Sequence, residues 1–199
     1  MAGVIMADAV SLDGFLATAD DQVGPLHDFY FNGDTRITAG NRHMSFKAPA
    51  ASARYLDEQW SRIGAMVIGR RLFDITDGWD GMPVAGDRVF VVTHSVPTDW
   101  KHMGTAPFTF VTDGVASAIA QAKAVAGPDR DVALNGGDVG GQAFAAGLVD
   151  EVDLALVPVV FGSGKRFFGD RFEGQVLLDD PVVVPSERVT HLRYRVRKS

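Results

Sequence analysis

The chain has 199 residues, 46% of them hydrophobic, with a net charge of −6 and no cysteine. That length and apolar content suit one domain spanning 1–199 with a substantial core, while the missing thiols exclude disulfides, thiolate catalysis and cysteine metal sites. The acidic balance argues against a nucleic-acid partner, and it requires any anionic ligand to be met by a local positive cluster.

Val4–Val10 reads as a first strand, followed by Ser11-Leu12-Asp13-Gly14-Phe15, where Asp-Gly marks a turn. Asp8 and Asp13 interrupt any charged-then-apolar signal pattern, and no apolar run approaches membrane-spanning length. The expectation is therefore a cytoplasmic protein with no membrane partner. Thr18–Pro49 is the least regular region, an insert rich in Asp, Gly, Asn and Thr that carries Phe29, Tyr30 and Phe31. Stretches of this kind in compact domains are functional loops or disordered ones.

Ala51–Ile63 has helical spacing through Tyr55, Trp60 and Ile63, and Ala65–Ile68 is a short strand ending at Gly69-Arg70-Arg71, after which a short helix is expected. Arg88–Thr93 and Phe108–Val111 read as strands, and Val115–Ala126 as an alanine-rich helix closed by Gly127-Pro128. Asp131–Phe161 combines a strand at Val132–Leu134, the Asn135-Gly136-Gly137 turn, an Ala-rich helical segment and a buried strand at Leu154–Phe161. Gly162-Ser163-Gly164 then makes a turn, and Val176–Val184 and Arg188–Val196 complete the order as strands. The sequence predicts an α/β fold with a mainly parallel central sheet, flanking helices and a C-terminal antiparallel hairpin.

Gly136, Gly137, Gly140 and Gly141 lie where the helix begins. A first turn offers unpaired N–H groups and the positive end of the helix dipole, which favour a phosphate or pyrophosphate. Close packing of helix on strand explains the same glycines equally well. A dinucleotide-binding fingerprint belongs after the first strand of its unit, with an acidic residue ending the next strand. Here the turn lies two-thirds along the chain, so a bound nucleotide implies another fold.

Four segments carry a resemblance: Ser11–Ala17, Val67–Phe73, Val89–His94, and Asn135-Gly136-Gly137 through Gly147-Leu148-Val149-Asp150-Glu151 with Pro158 and Gly162-Ser163-Gly164. In their order and spacing the chain resembles the dihydrofolate reductase-like superfamily. It is most similar to the reductase domain of the bifunctional riboflavin-biosynthesis deaminase-reductase. The resemblance implies an NADPH-dependent oxidoreductase that delivers a hydride to a small substrate across the carboxyl ends of the central strands, commonly as a homodimer. It places the pyrophosphate on Gly136, Gly137, Asp138, Val139 and Gly140, and Ala9, Leu16 and Ala17 beside the nicotinamide. The adenosine side falls on Gly69, Arg70, Arg71, Leu72, Thr93, His94 and Ser95. Guanidinium groups, hydroxyls and a histidine suit a ribose 2′-phosphate, which favours NADPH over NADH.

Asp13 is the candidate catalytic carboxylate, and a turn-forming role before Gly14 explains it equally well. Asp28, Phe29 and Phe31 are the candidate substrate contacts, by position and by the capacity of aromatic rings to stack on a planar substrate. The region around Asp28 does not match the folate-reducing pattern, so the expected substrate is a small heterocyclic (pteridine- or pyrimidine-like) or ribosylated molecule. Two alternatives stand beside this: an NADPH-binding protein without turnover, its cleft plugged by the insert, and the riboflavin-pathway 5-amino-6-(5-phosphoribosylamino)uracil reductase itself. No metal site is expected, because the five histidines lack ligand spacing.

Overall fold

A computed structural model describes residues 2–40, 44–170 and 172–198. Eight strands form one sheet: β1 (Val4–Ser11), β2 (Ile63–Gly69), β3 (Arg88–Val92), β4 (Phe108–Val111), β5 (Asp131–Leu134), β6 (Glu151–Val157), β7 (Val182–Ser186) and β8 (Val189–Arg195). Their spatial order is β7-β8-β6-β1-β5-β2-β3-β4. Neighbours from β6 to β4 run parallel, whereas β8 pairs antiparallel with both β6 and β7. The mainly parallel sheet and the terminal hairpin match the expectation from sequence.

Four helices cover the sheet: α1 (Ala50–Ser61), α2 (Arg70–Gly81), α3 (Val115–Ala126) and α4 (Gly137–Ala145). Successive strand residues face opposite sides, and the core divides accordingly. Val4, Met6 and Val10 of β1 join Ile119 of α3 and Phe144 of α4 in one buried cluster. On the other face Ala9 joins Tyr55 and Leu56 of α1 with Leu26 and Phe29, and Ile5 joins Phe73 of α2. No helix among the described residues is long and apolar enough to cross a membrane.

Three sequence expectations need correction. The strand expected to continue through Phe161 stops at Val157, because Pro158 has no N–H for the ladder. The strand expected from Val176 begins only at Val182, with Leu178 making a single bridge to Val196. The described part of the 18–49 insert is folded: a 3₁₀ turn at Gly24–Tyr30 and a strand pair, Thr35–Arg36 with Lys47–Ala48, bury Leu26, Phe29, Ile37 and Ala48 beside α1. Asn41, Arg42 and His43 of that insert lie outside the described residues.

Candidate functional site

Parallel strands put all their carboxyl ends on one edge, and the loops there carry the first set of site residues. Ser11 is fully buried; its Oγ accepts the Phe15 N–H at 2.9 Å and donates to Asp13 Oδ1 at 2.6 Å. Asp13 also accepts from the backbone N–H groups of Phe161 (3.1 Å) and Gly162 (2.7 Å). The Ser11 hydroxyl, ahead of those backbone donors, holds the Asp13 carboxyl down at about 2. A carboxylate so engaged is a poor proton donor near neutral pH. The structure places Asp13, the carboxylate singled out in the sequence, in a brace that holds the 11–17 loop against the 161–162 turn.

That brace places Leu16 over the glycine turn, its Cδ1 within 3.1 Å of where a Cβ on Gly136 would lie. Gly137 has φ +78° and donates its N–H to the Phe167 carbonyl at 2.8 Å. No side chain of Gly136 caps α4; with the Gly137 N–H taken by Phe167, an anion at this helix start would be met by the dipole and by the N–H groups that follow. Gly140 and Gly141 serve packing instead. A Cβ on Gly140 would meet Asn135 O at 2.6 Å and Met6 Cε at 2.9 Å, and one on Gly141 would stand 2.1 Å from the Phe168 carbonyl oxygen. The structure thus places Gly140, one of the expected phosphate contacts, in a buried position packed against Asn135 and Met6. Asp138 lies against Gly169, with Oδ1 3.1 Å from a Cβ placed there.

Next along the edge, Val139 Cγ2 sits 3.1 Å from the Cβ position of Gly69, the last residue of β2. Arg70 follows: its Nε donates to Asp74 Oδ1 at 2.6 Å and its Nη1 to the Ser95 carbonyl at 2.9 Å, with Thr93 Oγ1 at 3.5 Å. Thr93 is buried and its hydroxyl donates to Ser95 O at 2.8 Å, so it shapes the turn that receives Arg70. His94 is exposed beside it. Arg71 is paired with Asp21 of the insert. Leu72 packs against the Phe73 cluster. Leu16, Gly136, Gly137, Val139, Gly69, Arg70 and Ser95 thus form one ledge across the ends of β1, β5, β2 and β3. Ala17 is buried where Phe15–Ala17 pairs with Lys165–Arg166. Ala9 is buried in the cluster that holds Leu26 and Phe29, closed off from this ledge.

Beneath α1 lies a cavity of about 160 Å³. Its floor is Ile5, Ala7, Ala133, Met66 and Ala155, and its walls are Tyr30, Trp60, Val84 and Ala85. Asp8 and Asn135 line it too, and they join it to the ledge: Asp8 Oδ2 accepts from Asn135 Nδ2 at 3.1 Å and from the Gly136 N–H at 3.2 Å. Burial raises the Asp8 pKa above the ordinary carboxylate range, against those hydrogen bonds and the nearby His27.

Polar groups converge at the far wall. Tyr55 Oη donates to Asp153 Oδ2 at 2.7 Å, and its ring stacks on His191 at 4.5 Å between centroids. Ser52 Oγ lies 2.9 Å from His191 Nε2. Burial pushes Asp153 up to about 6, partly offset by the Tyr55 hydrogen bond and Arg193. Burial alone pulls His191 down to about 4, so its ring is neutral at pH 7. The substrate contacts expected from sequence are elsewhere: Asp28 and Phe31 are exposed and Phe29 is core, and none of the three lines the cavity. Tyr30, between them, does. Sequence reasoning missed Asp8, Tyr55, Gln59, Asp153 and His191. One signal was available: Asp153 interrupts an apolar strand, and a carboxylate is seldom fully buried without a partner.

An α/β sheet of this order, with a ledge over its carboxyl edge and a cavity under the first helix, defines a dihydrofolate reductase-like domain. The fold recurs in solved structures. A putative riboflavin biosynthesis protein from Shewanella sp. PV-4 matches with a TM-score of 0.67 at 20% identity over 100% of both chains. RibD from Acinetobacter baumannii matches with 0.62 at 16% identity, covering 99% of this chain and 58% of that one. Dihydrofolate reductase from Enterococcus faecalis, complexed with NADP(H), matches with 0.57 at 12% identity over 98% and 97%. No curated protein matches the sequence itself. Residues 2–181 match the RibD C-terminal domain model, and the chain belongs to that family of reductase domains.

Proposed function

We propose that the protein is an NADPH-dependent reductase that transfers a hydride to a small heterocyclic or ribosylated substrate. The observation that carries this reading is the continuity of ledge and cavity through Asp8, Asn135 and Gly136. A dinucleotide laid along the ledge would end beside a pocket walled by aromatic rings. The residues fit the cofactor. Arg70, oriented by Asp74 and the Ser95 carbonyl, suits a 2′-phosphate with the exposed His94 next to Ser95, and the start of α4 suits the pyrophosphate.

The bound reduced nicotinamide supplies the hydride. This chain positions the substrate ring, excludes water with Tyr30 and Trp60, and furnishes the proton. Asp153 is the group best suited to give that proton, because one oxygen is held by Tyr55 and a carboxyl near 6 exchanges protons readily close to neutral pH. That the insert leaves a cavity open favours turnover over cofactor binding alone.

The test is a titration with NADPH and, separately, NADH, followed by tryptophan fluorescence and thermal stability. Tight binding selective for NADPH is expected, followed by NADPH consumption with oxidised heterocycles. No binding of either nucleotide at millimolar concentration would remove the oxidoreductase reading and leave the fold standing.

A further inference from the structure

Asn32 and Asn135 each precede a glycine, and the structure treats the two pairs differently. Asparagine is a chemically labile residue, and a following glycine has no side chain to shield its backbone nitrogen. That nitrogen attacks the asparagine side chain when the pair closes into a five-membered succinimide. At Asn32 it is committed elsewhere: the Gly33 N–H donates to the Lys47 carbonyl at 3.0 Å, and Asn32 itself is exposed.

At Asn135 the attacking and the leaving nitrogen meet one carboxylate oxygen. Asp8 Oδ2 accepts from Asn135 Nδ2 at 3.1 Å and from the Gly136 N–H at 3.2 Å. A carboxylate only accepts, so the amide nitrogen, not its oxygen, faces Asp8. The main chain is fixed on both sides, with the Asn135 N–H on the Val67 carbonyl at 3.2 Å and the Gly137 N–H on that of Phe167 at 2.8 Å. Burial makes the Asp8 carboxylate a stronger base than an exposed one. Asn135 also lines the cavity beneath α1, whose volume of about 160 Å³ has room for water.

We propose that Asn135-Gly136 is a self-modification site, at which Asp8 serves as general base and then general acid in converting Asn135 to aspartate and isoaspartate. Asp8 Oδ2 takes the Gly136 N–H proton while the nitrogen's electron pair forms the bond to Asn135 Cγ. The same oxygen then gives that proton to Nδ2, and the Cγ–Nδ2 bond breaks with its electron pair leaving as ammonia. Water adds to either carbonyl of the ring and opens it to one of the two products. Each product sets a second carboxylate beside Asp8, and isoaspartate also lengthens the main chain by one carbon at the start of α4. The consequence for a cofactor rests on the reductase reading: the added charge lies where the ledge meets the cavity, so the reacted protein holds NADPH more weakly.

Full-length protein stored at pH 7.5 and mapped at intervals by peptide mass spectrometry reports both asparagines from one sample. In folded protein Asn135 should convert about tenfold or more faster than Asn32, an acceleration that general acid–base catalysis readily supplies. In urea, where Asp8 is no longer held beside Asn135, the two rates should become nearly equal. Asp8→Asn keeps an oxygen for both N–H groups but takes up no proton. It should slow Asn135 to the rate of Asn32 or below and leave Asn32 unchanged. Asn135 no faster than Asn32 in folded wild type, or faster unfolded than folded, would overturn the proposal, because the hydrogen bonds to Asp8 would then protect the pair. So would undiminished conversion in folded Asp8→Asn. Ion exchange separates the reacted protein by its added charge, and this form should bind NADPH several-fold more weakly than fresh protein; equal binding would overturn the consequence for the cofactor. If neither form binds NADPH while Asn135 converts as expected, the reductase reading falls and the self-modification stands.

Discussion

Replacing Asp153 with Asn should make the protein more stable at pH 7 while impairing its site. The wild-type carboxyl titrates at about 6 in the folded state against an ordinary 3.8, a gap caused chiefly by burial. At about 1.4 kcal/mol per pH unit this gap corresponds to about 3 kcal/mol. A carboxyl with a raised folded pKa holds its proton more tightly when native, so its stabilising contribution is complete below about 3.8. It is lost as pH rises through about 6. His191 acts in the opposite sense. Its folded value of about 4 lies below the ordinary 6.5, so stability is present above 6.5 and lost as pH falls through about 4. The two effects nearly cancel between pH 4 and 6, and the wild type alone conceals both. Asparagine keeps an oxygen for the Tyr55 hydroxyl and removes only the charge. Urea unfolding of wild type and Asp153→Asn across pH 4–8 should therefore give a stability difference that moves by up to about 3 kcal/mol in favour of the variant as pH rises, then levels off above pH 7. A difference that stays constant, or that moves in favour of the wild type, would refute the buried-carboxyl account.

Other consequences can be measured independently. Arg70→Ala should weaken NADPH binding by about 1.5 kcal/mol, the low end for a hydrogen bond to a charged group because its side chain is 35% exposed and partly screened. NADH binding should hardly change; equal losses for both nucleotides would sink the 2′-phosphate assignment. Gly141→Ala places a methyl 2.1 Å from the Phe168 carbonyl. It should displace the 167–169 segment and destabilise the fold by about 1–3 kcal/mol, read from the urea midpoint. Asp13→Ala should speed proteolysis in the 11–17 and 161–164 segments, because both lose their shared brace. It should leave the pH dependence of any turnover unchanged, since a group near 2 does not titrate in the working range.

Element order and the character of the sheet were legible along the chain. Short β-branched runs between glycine turns and alanine-rich helices have few ways to pack, and alternation along β1 already separates the two faces. Arg70 and Ser95 were legible as a pair because each closely follows a strand of a parallel sheet, and parallel strands end on one edge. What the glycines and the acids do emerged only once the elements were packed together. Gly136 and Gly141 look alike in sequence, yet one lies under Leu16 on the ledge and the other admits a carbonyl from a segment near residue 168. Asp13, in a conspicuous turn, proved a brace, while Asp153, inside a strand, faces a cavity closed by a helix nearly a hundred residues earlier. A carboxyl's role depends on its desolvation and its partners, and both are set by contacts between elements far apart in the chain, which no local pattern records.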